Sequence, residues 1–164
     1  MNEVVIVQWQ RKYEAHVIKL ILSIQSAEFV IPITEADQPD LKSVDTFYQH
    51  GNGNFWVALS ERNVVGTIAL KDIGQQQVAL RKMFVHKTFR GSDQGVANKL
   101  FVAAIEWCIR KNIQDIYLGT VEDFRAAQRF YEKNGFERIE ARQLPKNFPL
   151  MQVDTIFYHL SIKY

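Results

Sequence analysis

The sequence predicts a single α/β (α+β mixed) domain, residues 1–164, built on a mixed β-sheet with helices packed against it. Three observations carry this expectation. The 164 residues amount to about one domain, and 47% apolar with 12% aromatic content can fill one sizeable core. Strand-like segments come first as neighbours joined by tight turns, then alternate with helical ones as strand–helix–strand–helix–strand. Turn residues separate the segments at short intervals, with no linker, repeat or low-complexity tract beyond Gln75–Gln77.

Taken in order, Val4–Gln8 reads as a short strand. A helix follows over Lys12–Ala27, because Val17, Leu20, Ile21 and Ile24 repeat at helical spacing. Pro32–Pro39, with Thr, Glu, Asp and two prolines, is a loop leading into a short helix over Leu41–His50. Gly51–Asn54 turns the chain into a strand over Phe55–Ser60. Glu61–Asn63 connects it tightly to Val64–Lys71, making a hairpin. A turn around Gly74 and the glutamines precedes a strand over Val78–Val85. From Gly95 to Lys111 the period becomes helical, with Val96, Leu100, Ala103, Ala104 and Trp107 along one side. Asp115–Thr120 is again a strand. The next helix, Phe124–Lys133, stops at Asn134-Gly135, residue types that tolerate a left-handed cap. Strands over Phe136–Glu140 and Thr155–Ile162 close the chain around a loop with Pro145 and Pro149.

Composition removes several classes of function. A net charge of +2 argues against a general nucleic-acid binder. The single cysteine, Cys108, has no disulfide partner within the chain, which points to a reducing compartment. No Cys/His set has zinc-ligand spacing, so no metal is expected. The apolar run Val4–Val7 is too short for a signal-peptide core before Arg11 and Lys12, and Ile18–Ile24 is far too short for a membrane span. The expectation is a soluble cytoplasmic protein with no membrane partner.

The most informative segment is Arg90-Gly91-Ser92-Asp93-Gln94-Gly95-Val96-Ala97, between a strand and a long helix. Unpaired N–H groups at such a helix start can hold a phosphate. Gly91, Gly95 and Ala97 keep bulky side chains away from that approach, and Lys82, His86, Lys87 and Arg90 bring positive charge to it. The bland reading is a strand-to-helix turn that uses glycine for tightness. The segment is neither a P-loop nor a dinucleotide-binding GxGxxG.

Lys82 through Ala97, then Ile116–Thr120, then Ala127-Gln128-Arg129-Phe130-Tyr131-Glu132-Lys133-Asn134-Gly135-Phe136 together resemble the GNAT superfamily of N-acetyltransferases. The resemblance covers roughly Phe55 to Tyr164. It implies a GNAT-like mixed, mostly antiparallel twisted sheet, flanked by helices and splayed at two parallel strands, here Val78–Val85 and Asp115–Thr120. Acetyl-CoA would lie in the opening as cosubstrate. The backbone of Met83, Phe84 and Val85 would pair with its pantetheine arm, and amides from Gly91 to Ala97, Gly95 and Val96 among them, would take the pyrophosphate. Arg90, Ala127 and Phe130 complete the implied cofactor site. Arg90 lies five residues before Gly95, where the family pattern puts Arg or Gln three before, so Ser92 or Gln94 would supply that side-chain contact. Phe124 stands where many relatives carry Asn, so a side-chain hydrogen bond to the cofactor is not expected there.

Tyr131 is the implied catalytic residue. Aminolysis of a thioester must expel a thiolate, whose conjugate acid has a pKa near about 8.5, and a positioned phenol can give it a proton. The bland reading packs Tyr131 beside Phe130. An amine acceptor with pKa near about 10.4 must first lose a proton. Glu28, Asp72, Glu122 and His86 are candidate bases, with a water chain as the alternative. Asp154 could attract a cationic amine, although a structural turn is the simpler reading. Cys108, among Ala104, Ile105 and Ile109, reads as a core thiol.

The leading expectation is an N-acetyltransferase acting directly on a primary amine of a small molecule or peptide. The alternatives are a non-catalytic acyl-CoA-binding or regulatory module on the same fold, and a nucleic-acid-associated protein using the Arg81–Arg90 cluster. A homodimer is left open.

Overall fold

The computed structural model describes residues 3–91 and 95–164. Among them, seven strands form one sheet: β1 (Val4–Gln8), β2 (Asn54–Ser60), β3 (Asn63–Gly74), β4 (Gln77–Val85), β5 (Asp115–Thr120), β6 (Glu137–Ile139) and β7 (Ile156–Ser161). Their spatial order is β1-β2-β3-β4-β5-β7-β6. Helices α1 (Glu14–Leu22), α2 (Val44–Phe47), α3 (Val96–Arg110) and α4 (Arg125–Lys133) pack on it.

Strands β1 to β4 are antiparallel neighbours. The β2–β3 turn at Glu61-Arg62 and the β3–β4 turn at Gln75-Gln76 both use positive φ at two successive residues, the backbone that matches the twist of a two-residue hairpin. Alternation along β2 divides the core. Trp56 and Ala58 face α3 and α4, with Leu100, Ile116 and Leu118 in the same cluster. Phe55 and Val57 face α1 and α2, beside Ile21, Leu41 and Tyr48. Each of these large apolar side chains contributes about 1.5–3 kcal/mol on burial, so both faces of the sheet are held.

The site is created where the sheet fails to close. β4 and β5 run parallel and pair only over Gln77–Ala79 and Asp115–Tyr117, while β5 pairs with β7 along its whole length. The cause lies in β4. Its register against β3 passes from Ala69↔Arg81 to Thr67↔Phe84, which leaves one extra residue on β4, and Lys82 takes a φ of 55°. Thr67 Oγ1 donates to the Lys82 carbonyl at 2.6 Å and fixes this bulge. A bulge bends its strand and increases local twist, so the second half of β4 leaves β5 and a cleft opens.

Some expected bounds change. The helix expected over Lys12–Ala27 starts as a 3-10 turn at Arg11–Tyr13 and widens after α1 into a π-helical turn, Ser23–Glu28. Ser23 Oγ bonds back to the Leu20 carbonyl, and the Phe29 amide reaches Ile24, five residues back. The helix expected over Leu41–His50 reduces to α2, preceded by a 3-10 turn at Pro39–Lys42. Both changes follow from local side-chain and proline chemistry that competes with a regular helix.

Candidate active site

A cavity of about 1010 Å³ fills the cleft between the splayed strands. Its walls are β4 from Leu80 to Val85, the end of β5 at Gly119 and Thr120, the first turns of α3 and α4, the π-helical turn, and the loop before β7. Met83, Phe84, Val85, Arg90, Gly91, Gly95, Ala97, Ala127, Phe130 and Tyr131 all border it. Val96 does not: its side chain is fully buried in the core. Ser92 and Gln94 lie outside the described residues.

Strand geometry sorts the β4 residues by role. The His86 amide bonds to the Val65 carbonyl at 2.8 Å, so Phe84, opposite Thr67, also directs its backbone groups to β3. Phe84 therefore offers the cavity its ring rather than its amide, contrary to the sequence expectation. The intervening Met83 and Val85 turn their backbone groups toward the cleft. The Val85 carbonyl is already an acceptor there, for Arg90 Nε at 2.7 Å.

Arg90 is engaged more fully than the sequence implied. Its two terminal nitrogens donate to the Glu28 carboxylate, one of them at 2.8 Å to Oε1, and its guanidinium lies against Phe29. Three of its five donors are thus committed within the protein. The other cations also disperse. His86 caps the 3-10 turn Lys87–Phe89 by accepting from the Thr88 amide, and Lys82 Nζ turns into a buried polar network. The positive approach expected before the phosphate loop reduces to Arg90 and the exposed Lys87.

Gly95 carries the left-handed conformation, φ +64°, immediately before α3, and Gly91 has φ +106°. Among the described residues, a Cβ built at either would meet nothing within 4 Å. Helix α3 begins here, and the first amides of a helix point outward along its axis, a disposition suited to an anion. On the opposite wall, Phe124 packs edge-on against Phe29 and Phe84, with ring centroids 5.0 and 6.0 Å away. Phe124 thus forms part of an aromatic wall, in keeping with the absence of a side-chain hydrogen bond expected there from sequence.

Tyr131 projects from α4 between Phe136 and Tyr158, with ring centroids 5.5 and 5.9 Å away. Its ring is buried, while among the described residues its hydroxyl has no hydrogen-bond partner and borders the cavity. Burial, reinforced by nearby Asp154 and Tyr158, pushes its pKa well above that of an ordinary phenol. It stays protonated at neutral pH.

The bases weighed from sequence are elsewhere. Glu28 is held by Arg90, whose hydrogen bond lowers its pKa. Asp72 is tied to the Asn52 and Gly74 amides, and Glu122 is exposed. Asp154 instead reaches the cavity beside Gly119. A Cβ there would stand 2.6 Å from Asp154 Oδ2, so the glycine makes room for the carboxylate. Desolvation raises the pKa of Asp154 to about 6, against the opposing pull of Arg81 and Lys82.

Behind the bulge, Gln25 and Gln38 exchange amide hydrogen bonds at 3.1 and 2.8 Å. Lys82 Nζ donates to Gln38 Oε1 at 2.5 Å, with Asp40 Oδ2 3.6 Å away, and Tyr48 donates to Asp40. Burial lowers the Lys82 pKa to about 8. Periodicity could not find this network, because it depends on the bulge; the available signal was the presence of buried-register Gln and Lys residues without an assigned partner.

Residues 18–136 match the model of the Acetyltransferase (GNAT) family. The chain is 34% identical to the N-acetylaspartate synthetase of Danio rerio over 102 residues, 61% of this chain, and spans only 36% of that relative's length. It superposes with a TM-score of 0.95 on the crystal structure of a GNAT-family acetyltransferase from Staphylococcus aureus, at 40% identity, covering 98% of this chain and 100% of the other. The fold also matches the PaiA N-acetyltransferase of Thermoplasma acidophilum, solved in complex with coenzyme A, at a TM-score of 0.72 and 14% identity, with 98% and 99% of the two chains covered. The chain belongs to the GNAT acetyltransferase family.

Proposed function

We propose that the protein is an acetyl-CoA-dependent N-acetyltransferase that moves the acetyl group directly to a primary amine. The observation that carries this reading is the Tyr131 hydroxyl, protonated and opening on a cavity between two splayed parallel strands. The residues fit the thioester cosubstrate. Gly91 and Gly95 bring no side chain to the start of α3, where a pyrophosphate would meet helix amides. Met83 and Val85 turn backbone groups toward a pantetheine arm, the Val85 carbonyl being shared with Arg90. Tyr131 would then serve a thioester bound in the cleft as the donor of a proton to the departing sulfur. A pure binding module would have no use for a proton donor at that point. The buried, unpaired thiol of Cys108 supports residence in a reducing compartment such as the cytoplasm.

Two measurements test the reading. Thermal unfolding with CoA at about a hundredfold over its dissociation constant should show about 2.7 kcal/mol of added stability, and AMP should not match it. Free CoA should also be released from acetyl-CoA when an accepted amine is present. Absence of stabilisation by any acyl-CoA would sink the proposal.

A further inference from the structure

The cavity changes character along β4. At one end it is lined by Gly91, Gly95 and the start of α3; along β4 its lining includes the charged Arg81 and Lys82, with Asp154 from the loop before β7. These charges are not paired with each other. Among the described residues, no side chain hydrogen-bonds or ion-pairs with the Asp154 carboxylate, which accepts from the Met151 backbone and feels Arg81 and Lys82 only through space. Arg81 Nη2 has only the Met151 thioether sulfur as a hydrogen-bond partner, at 2.8 Å. A thioether is a weak acceptor. Lys82 is committed to Gln38 and Asp40 behind the bulge.

A half-buried guanidinium and a half-buried carboxylate therefore face one cavity, acting on each other through space without closing an ion pair. Leaving such groups unpaired is costly. A ligand that carries the two opposite charges would satisfy both. Resting on the transferase reading, we infer that the acceptor is a small zwitterion, an amine bearing a carboxylate such as a free amino acid, with its carboxylate on Arg81 and its ammonium facing Asp154.

This placement also balances the reaction. The ammonium gives one proton to Asp154, and the freed nitrogen forms a C–N bond at the thioester carbonyl carbon. The C–S bond breaks, and the sulfur takes the Tyr131 proton. The second proton shed by the nitrogen returns to the Tyr131 oxygen, and the proton on Asp154 passes to solvent. The net products are the amide, free CoA and one proton.

The test titrates the CoA-loaded protein calorimetrically with free amino acids, their carboxamides, their decarboxylated amines and short peptides. CoA release is followed on the same panel. Free amino acids should bind about 10- to 100-fold more tightly than their matched amides, the loss expected when a charge-assisted hydrogen bond is removed. kcat/KM should follow the same order. Arg81→Gln should erase that preference while CoA affinity stays unchanged, and Arg81→Lys, which keeps the charge without the fork, should retain part of it. Amides or simple amines that match the amino acids, peptides that outperform them, or a preference that survives Arg81→Gln would each overturn the inference. Failure of CoA to bind would instead overturn the transferase reading beneath it. A binding preference without turnover would reject the transferase reading and with it the acceptor role, and would leave a zwitterion-binding site.

Discussion

Glu28, at the end of the π-helical turn, clamps Arg90 at the end of the 3-10 turn after β4, and Arg90 in turn holds the Val85 carbonyl. The clamp joins segments 62 residues apart at the edge of the cavity. It has a direct consequence for the cosubstrate, because three of the five guanidinium donors, and one acceptor position of the Val85 carbonyl, already have partners within the protein. Glu28 and the phosphates should compete for one guanidinium. Glu28→Gln is therefore expected to tighten CoA binding by about two- to fivefold, the range of a partly exposed ion pair. Arg90→Ala should weaken it, more at low salt than at high salt. Calorimetric titration at two ionic strengths measures both effects. Equal affinity in all three proteins would assign the pair a purely structural role.

Tyr131→Phe removes one hydroxyl and keeps the ring that packs between Phe136 and Tyr158. The fold and CoA affinity should hardly change. Turnover should fall by about 10²–10⁴-fold, the usual loss of a positioned acid. An interaction made in the transition state shows itself as a lower kcat without a matching change in ground-state binding. Full activity in the variant would hand the proton to water or another donor.

Gly95→Val tests the loop. Valine at a φ of +64° is strained by about 1–2 kcal/mol, whatever space surrounds the new Cβ. Gly95 borders the cavity, so the added methyl groups would also crowd an anion approaching the α3 amides. Lower thermal stability together with weaker CoA binding is expected. A stability loss with unchanged affinity would move the pyrophosphate away from Gly95.

Much of the architecture was legible because it is written in local patterns. Asp115–Thr120 matches β5 at both ends, and the hairpin over Phe55–Lys71 shows in its alternation and turn. The site was legible only in part. The small residues of the loop and the Phe130-Tyr131 pair could be read from sequence, since glycine and a helix start have local signatures. The bulge at Lys82 could not, because an extra residue in one strand is defined only against its partner, Thr67. For the same reason Arg90 read as a free cation while Glu28 waits for it across the fold. Asp154 read as a turn residue because the space that admits its carboxylate is made by Gly119, on another strand.

Asp154→Asn separates catalysis from stability. At neutral pH, above about 6, the carboxylate is ionised in both folded and unfolded chains, but the folded state bears the cost of desolvating it. A folded pKa of about 6 against an ordinary 3.8 corresponds to at most about 3 kcal/mol of destabilisation. The folded chain binds the proton more tightly, so this contribution works against the usual acid trend. The cost is complete above about pH 6, shrinks as pH falls, and vanishes below the unfolded value near 3.8. Arg81, Lys82 and Tyr131 face the carboxylate; Lys82, at about 8, and Tyr131, raised above an ordinary phenol, titrate above this window. Asparagine removes the cost, so the variant should melt several degrees higher than wild type at pH 7, and that gap should narrow at pH 4.5. Activity should move the other way. Without a proton acceptor for the ammonium, kcat/KM should drop by about 10²–10⁴-fold, and the acidic limb near pH 6 should disappear from the rate profile. Calorimetric melts at the two pH values, paired with the pH dependence of CoA release, give both readouts. A variant less stable at pH 7 by the same margin as at pH 4.5 would mean that the carboxylate packs as a structural turn residue. A retained acidic limb would place the base on another group. Gain in stability with loss in turnover is what a carboxylate kept in an unfavourable place for chemistry should produce.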